Sequence, residues 1–209
     1  MPAGHASRWL IGAMCAAWLS PVSGQQLLER VAARVNGYAL TLTDVRVALA
    51  LGIVEAPPGI DREAVATDRL IDRQLVVAEV ARFTPPEPGA VAIADEAARL
   101  TAKAGPGLAE VMASTGIDQV GIRDIARDNL RIQAYLDQRF GATVQLTEDE
   151  VTQYYRIRPD EFTRDGVLRP FGEVEASVRA RAGEERRAAL VAQWVRDLRA
   201  RADVSRPGA

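Results

Sequence analysis

Proline and glycine divide this sequence into lengths that few folds can use. Pro57-Pro58-Gly59, the stretch from Thr84 to Gly89, Gly105-Pro106-Gly107, Gly116, Gly141 and the stretch from Pro159 to Pro170 are all breakers. Proline removes a backbone donor and glycine carries extra chain entropy, so regular structure stops at each of these sites. Between them, apolar residues recur every three or four positions, which is the period of an amphipathic helix. The chain therefore reads as helices joined by short links, with room for only two or three short strands. Hydrophobic residues make up 48% of the 209 and charged residues 26%, which is enough apolar material for a packed core.

The elements follow from these patterns. Val31 to Val35 is a short apolar run, Asn36-Gly37 is a hairpin turn signal, and Tyr38 to Leu42 is the return strand. Thr43 is the expected N-cap of a first helix that reaches about Val54, with Asp44 favourable in its first turn. A second helix covers Asp61 to Phe83. Leu70, Val77 and Ala81 form its core stripe, and Asp68, Asp72 and Arg73 lie on its wet face. A third runs from Asp95 to Ala104, and a short one from Leu108 to Ser114. The longest stripe, Ile122, Ile125, Asn129, Ile132 and Leu136, ends at Gly141. Residues 143–146 read as a short extended piece that could pair with the first hairpin. Thr147-Glu148-Asp149-Glu150 is a capping box, and capping with the helix dipole explains its acids better than a metal site does. Pro159 to Pro170 reads as a polar link. A closing helix begins near Phe171 and carries Val174, Val178, Leu190, Trp194 and Leu198 on one face. Residues 205–209 read as a loose tail.

The first 24 residues have another character. Arg8 precedes an uncharged apolar run from Trp9 to Leu19, and Val22-Ser23-Gly24 offers small residues before Gln25. These are the three parts of a secretory signal peptide. The run is too short for the ~20 residues that a membrane span needs. Cleavage near Gly24 would remove both Cys15 and His5, the only cysteine and the only histidine. Residues 25–204 would then be one helical domain without thiol or imidazole, unable to build a Cys/His metal site or a Cys or His catalytic pair. Export without cysteine suits the bacterial periplasm.

The rest of the sequence offers little for catalysis. It holds no phosphate-binding loop, dinucleotide fingerprint or EF-hand spacing. Lys103 is the only lysine, and a pairing with Ser114 is the one formal nucleophile–base option. Aromatics are 5% of the chain, sparse for a sugar cleft, and the near-neutral net charge of −2 does not suit a nucleic-acid binder. The expectation is no catalytic residue, no cofactor and no metal. The first helix is unusual in having two apolar sectors. Val45, Leu49 and Ile53 lie on one side, and Val47, Leu51 and Val54 lie nearly opposite. The second sector either meets a partner or client, or leaves the helix buried on both sides.

The order of segments resembles that of the SurA-like and PrsA-like periplasmic chaperones. The matching pieces are Val31-Ala32-Ala33-Arg34-Val35-Asn36-Gly37, Leu42-Thr43-Asp44-Val45, Arg69 to Leu75, Val91 to Glu96, Gly116-Ile117 with Arg123 through Gln133, and Leu146 to Val151 with Tyr154-Tyr155. The resemblance implies a mostly α fold: a SurA N-terminal-type helical module with a small β-hairpin and a packed C-terminal helix. In the family, parvulin-type prolyl isomerase domains usually follow the Tyr-Tyr helix. Here only residues 163–170 separate Phe162 from Phe171, too few for a domain. What the resemblance implies is an ATP-independent chaperone for unfolded or nascent envelope polypeptides, without nucleic acid and without an integral membrane segment after cleavage. A residual prolyl isomerase and a helical adaptor of an envelope complex are the alternatives. Val47, Leu51 and Val54 are the expected wall of a peptide trough, with Met112, Tyr155 and Phe162 as further contacts.

Overall fold

The computed structural model describes residues 30–59, 61–141 and 145–207. The first 24 residues, expected to be an export signal, lie outside them. The fold is mostly α, with a small antiparallel sheet. Strand β1 (Val31–Val35) turns at Asn36-Gly37 into β2 (Tyr38–Thr41), pairing Val35 with Tyr38 and Arg34 with Ala39. Both turn residues have positive φ, 50° and 84°, as a two-residue primed turn requires.

Residues 143 and 144 of the expected extended piece lie outside the described residues, and the third described strand of the sheet comes from near the C-terminal end. It is β5 (Val204–Ser205), which pairs with the free edge of β1 and gives the order β2-β1-β5. Gln145 and Leu146 are irregular. The expected loose tail is tied down at its start: Asn36 N donates to Asp203 O at 2.8 Å, Asp203 N donates to Asn36 Oδ1 at 2.9 Å, and Arg206 pairs with Asp68 at 2.5 Å.

Helix α1 (Leu42–Ala50) is capped by Thr41, two residues earlier than the sequence suggests. Thr41 Oγ1 accepts from Asp44 N at 3.1 Å, and the Asp44 carboxylate accepts from Thr41 N at 2.8 Å. Capping at Thr43 would have placed Arg46, which has no acceptor, at the reciprocal position. Helix α2 (Arg62–Phe83) stops at Thr84, in left-handed backbone just before Pro85. Helix α3 (Ala90–Ala104) begins right after Gly89, so Val91 and Ile93 belong to it rather than leading into it. A 3-10 turn at Gly105–Gly107 leads to α4 (Leu108–Thr115). Helix α5 (Gln119–Phe140) starts at an Asp118 cap that accepts from Gly121 N at 2.8 Å. Helix α6 (Glu148–Ile157) carries the expected capping box between Thr147 and Glu150.

The expected polar link is ordered structure. A 3-10 turn (Pro159–Phe162) leads into β3 (Thr163–Arg164) and β4 (Val167–Leu168), closed by Asp165-Gly166 with φ of 50° and 77°. Helix α7 (Phe171–Ala200) then runs about 45 Å.

Burial divides into three clusters. The first joins the sheet, α1, α2 and the later parts of α5 and α7, with Ala33, Val45, Ile71 and Trp194 at its centre. Trp194 sits 5.8 Å from Tyr135 and 5.7 Å from Phe140, ring centre to ring centre, fastening α7 to α5. Each such aromatic pair adds ~1 kcal/mol beyond burial. The second cluster packs Val47 and Leu51 of the α1 segment against Ile93, Leu100 and Ile122. The third holds Val151, Phe162 and Val178 between α6 and the first half of α7. Helix α7 thus bridges the first cluster and the third, because its stripe is apolar at both ends.

Candidate functional site

A cleft of about 400 Å³ opens between β2, α1, α2 and the junction of α4 with α5. Its floor is apolar, with Leu40, Val47, Leu70 and Ile125, and Tyr38 stands at the rim, 53% exposed. The charged residues in its walls are Asp44, Arg73 and Asp128. Helical spacing brings them there. Arg73 lies between Leu70 and Val77 on the α2 stripe, and Asp128 lies between Ile125 and Ile132 on the α5 stripe. Each is three or four residues from its apolar neighbours and so shares their face.

The protonation equilibria reflect this crowding. Burial pushes the Asp128 carboxyl above the ordinary aspartate value, against the pull of Arg73, Arg131 and Arg127. Burial also makes the Arg73 guanidinium less basic than usual, although Asp128 and Glu96 favour its charge. The Tyr38 phenol is raised by partial burial first and by the Asp44 and Asp128 carboxylates next. The three effects describe one crevice in which charge is poorly solvated.

The six sequence-derived contact residues do not converge. Leu51 is fully buried and Val47 is 6% exposed; both are sealed in the second cluster, although the edge of Val47 reaches the cleft floor. The second sector of the first helix is therefore covered by α3 and α5, and the helix is buried on both sides. Val54 goes to the first cluster instead, because α1 ends at Ala50 and the helical angular step no longer applies beyond it. Phe162 is 4% exposed, inside the third cluster. The Tyr155 hydroxyl donates to Arg169 O at 2.6 Å, and its ring packs on Phe162 and Phe171. Met112 is half-buried on α4. The Lys103–Ser114 option also dissolves: Lys103 Nζ donates to Gly52 O at 2.9 Å, and Ser114 Oγ donates to Val111 O at 3.3 Å.

Sequence reasoning missed Tyr38, Arg73 and Asp128. The usable signal was a charge placed inside an apolar stripe, which is rarely a solvated face. A second, shallower groove of about 760 Å³ runs between α6 and α7, where Ile157 is 61% exposed beside Leu146 and Tyr154. Among the described residues, no group of three or more His, Cys, Asp or Glu side chains could hold a metal ion. No helix among them is long and apolar enough to cross a membrane.

Compared with models of known protein families, the sequence matches none, and no curated protein matches it either.

Proposed function

We propose that this protein is an ATP-independent, chaperone-like binder of unfolded or extended polypeptides, exported to the periplasm by its first 24 residues. In this reading it is a SurA-like helical module without an isomerase domain. The observation that carries the reading is the cleft, with its apolar floor, an exposed aromatic at the rim and poorly solvated charge in the walls. Such a site favours partly desolvated chain over folded surface. The closed hairpin between Phe162 and Phe171 adds support, because it occupies the place where relatives of this kind carry the isomerase.

The energetics suit transient holding. Each apolar side chain received by the floor contributes ~1.5–3 kcal/mol. Ordering each residue of an extended client costs ~1–2 kcal/mol. A cleft of about 400 Å³ accommodates only a few side chains, so the two nearly cancel and clients leave without ATP. The test is light scattering from a urea-unfolded outer-membrane protein diluted into buffer. The purified protein is expected to suppress its aggregation at near-stoichiometric amounts, and Tyr38→Asp to suppress it less. Unchanged aggregation in the presence of the protein would overturn the reading.

A further inference from the structure

The three-stranded sheet has an open edge on the strand that lines the cleft. Its order is β2-β1-β5, so β1 is paired on both sides and β2 on one side only. The far side of β1 is filled by β5, which matches it over two residues, Arg34 with Ser205 and Val35 with Val204. A short extended segment thus completes the sheet on that side, and among the described residues nothing completes it on the side of β2.

The alternation of the ladder identifies the groups that β2 presents. In an antiparallel pair, residues that exchange hydrogen bonds alternate with residues whose N–H and C=O point away from the partner strand. The two-residue turn makes Val35 and Tyr38 the first hydrogen-bonded pair. Ala39, opposite Arg34, then faces outward, and Leu40 faces β1 again. Leu42 keeps this phase, its N donating across the ladder to Arg30 O at 2.9 Å. Among the described residues, the main-chain N–H and C=O of Ala39 have no partner. Thr41 is the next outward residue, and its N–H is taken by Asp44 Oδ2 at 2.8 Å. The open edge is therefore centred on Ala39, between the Asn36-Gly37 turn and the cap of α1.

We propose that an extended polypeptide adds to the sheet as a further strand beside β2, through two main-chain hydrogen bonds to Ala39. Tyr38 and Leu40 flank Ala39, share one face of the strand and line the cleft. A strand laid beside β2 repeats that pleat, so its alternate side chains enter the cleft over Val47, Leu70 and Ile125. These groups define the partner. A donor and an acceptor on a strand edge are matched by main chain, whatever the side chains, and the apolar floor takes apolar ones. One cleft then holds many sequences, provided that they are extended. This inference rests on the polypeptide-binding reading above and assigns the means by which the same cleft holds its client.

The test uses the full protein and a fluorescein-labelled, amidated peptide of alternating Val and Thr, flanked by lysines for solubility. A second peptide has the same sequence with every main-chain nitrogen methylated. Fluorescence anisotropy reads their affinities. The methylated peptide is expected to bind at least about tenfold more weakly, because it cannot donate to the edge and packs badly against it. Methylation adds apolar surface, so equal or tighter binding of the methylated peptide overturns strand addition and leaves the polypeptide reading standing. Ala39→Pro removes the outward N–H without touching the ladder to β1. It should weaken the unmethylated peptide about fivefold and leave the methylated one unchanged, whereas Ala39→Val, which keeps the N–H, should bind like the unaltered protein. Urea unfolding checks that each variant is folded, and if Ala39→Pro is not, the two peptides on the unaltered protein decide alone. Unchanged binding by folded Ala39→Pro protein overturns the choice of β2. Sedimentation of a dimer that Ala39→Pro converts to a monomer would mean that a second copy fills the edge, and overturns the client assignment. Failure of both peptides to bind overturns this inference and the polypeptide reading together.

Discussion

Leu51 separates a packing role from a client-binding role more sharply than any other residue. Its side chain is fully buried, in the second cluster with Ile93, Leu100 and Ile122. Leu51→Ala removes three carbons, worth ~2.4 kcal/mol at ~0.8 per buried methylene. The surrounding helices cannot fully collapse, and the residual cavity adds ~24 cal/mol per Å³, bringing the expected loss to ~3–4 kcal/mol. In urea, with a slope of ~2 kcal/mol/M, the unfolding midpoint should fall by about 1.5–2 M. Far-ultraviolet circular dichroism during equilibrium urea unfolding measures it. Ile157→Ser is the control: that side chain is 61% exposed, and a change of ~0.5 kcal/mol or less is expected. A loss under ~1 kcal/mol for Leu51→Ala would mean that this face is not a packed interior, and the account of the second cluster would be wrong.

Two further predictions concern the ends of elements. Burial raises the Asp68 carboxyl, but hydrogen bonds from Arg199 and Arg206 outweigh it and hold it below its ordinary 3.8. A depressed folded value gives stability that is present above the unfolded pKa and lost as pH falls through the folded one. Asp68→Asn should therefore lower the melting temperature at neutral pH, and the gap to the unaltered protein should close as the pH drops below 3.8 in a calorimetric series; a gap that widens in acid would refute the pairing. Gly52 has φ +61°, and a Cβ there would lie 2.2 Å from Lys103 Cε. Gly52→Ala should cost ~1–2 kcal/mol in urea unfolding, and less when Lys103 is also alanine, whereas a gain in stability would refute the strain.

Sequence pattern exposed the skeleton of this fold because breakers and helical stripes act locally. Asp61 to Phe83, Leu108 to Ser114, the helix closing at Phe140 and the one opening at Phe171 were readable within a few residues. The Thr147–Glu150 cap was equally readable, since both of its bonds are made within four residues. What stayed hidden was set by distant contacts. Val204–Ser205 carries no strand signal of its own, and pairs with β1 because α7 delivers it there. Hairpin β3–β4 has only two residues per strand, so its sole local mark is Asp165-Gly166. The two apolar sectors of the first helix were visible, but whether the second faces solvent or protein depends on α3 and α5, which pack from residues at least forty positions away. The cleft residues were obscured for the same reason: Arg73 reads as solvated until α5 brings Asp128 beside it.

The most direct test of polypeptide binding in the cleft is site-specific photo-crosslinking. A benzophenone amino acid is placed singly at Tyr38 or at Ile157, both exposed, and the protein is irradiated with an unfolded outer-membrane protein. The account predicts strong crosslinks from position 38, competed away by excess unlabelled unfolded chain, and few from position 157. Crosslinks confined to position 157, or none from either, would contradict it.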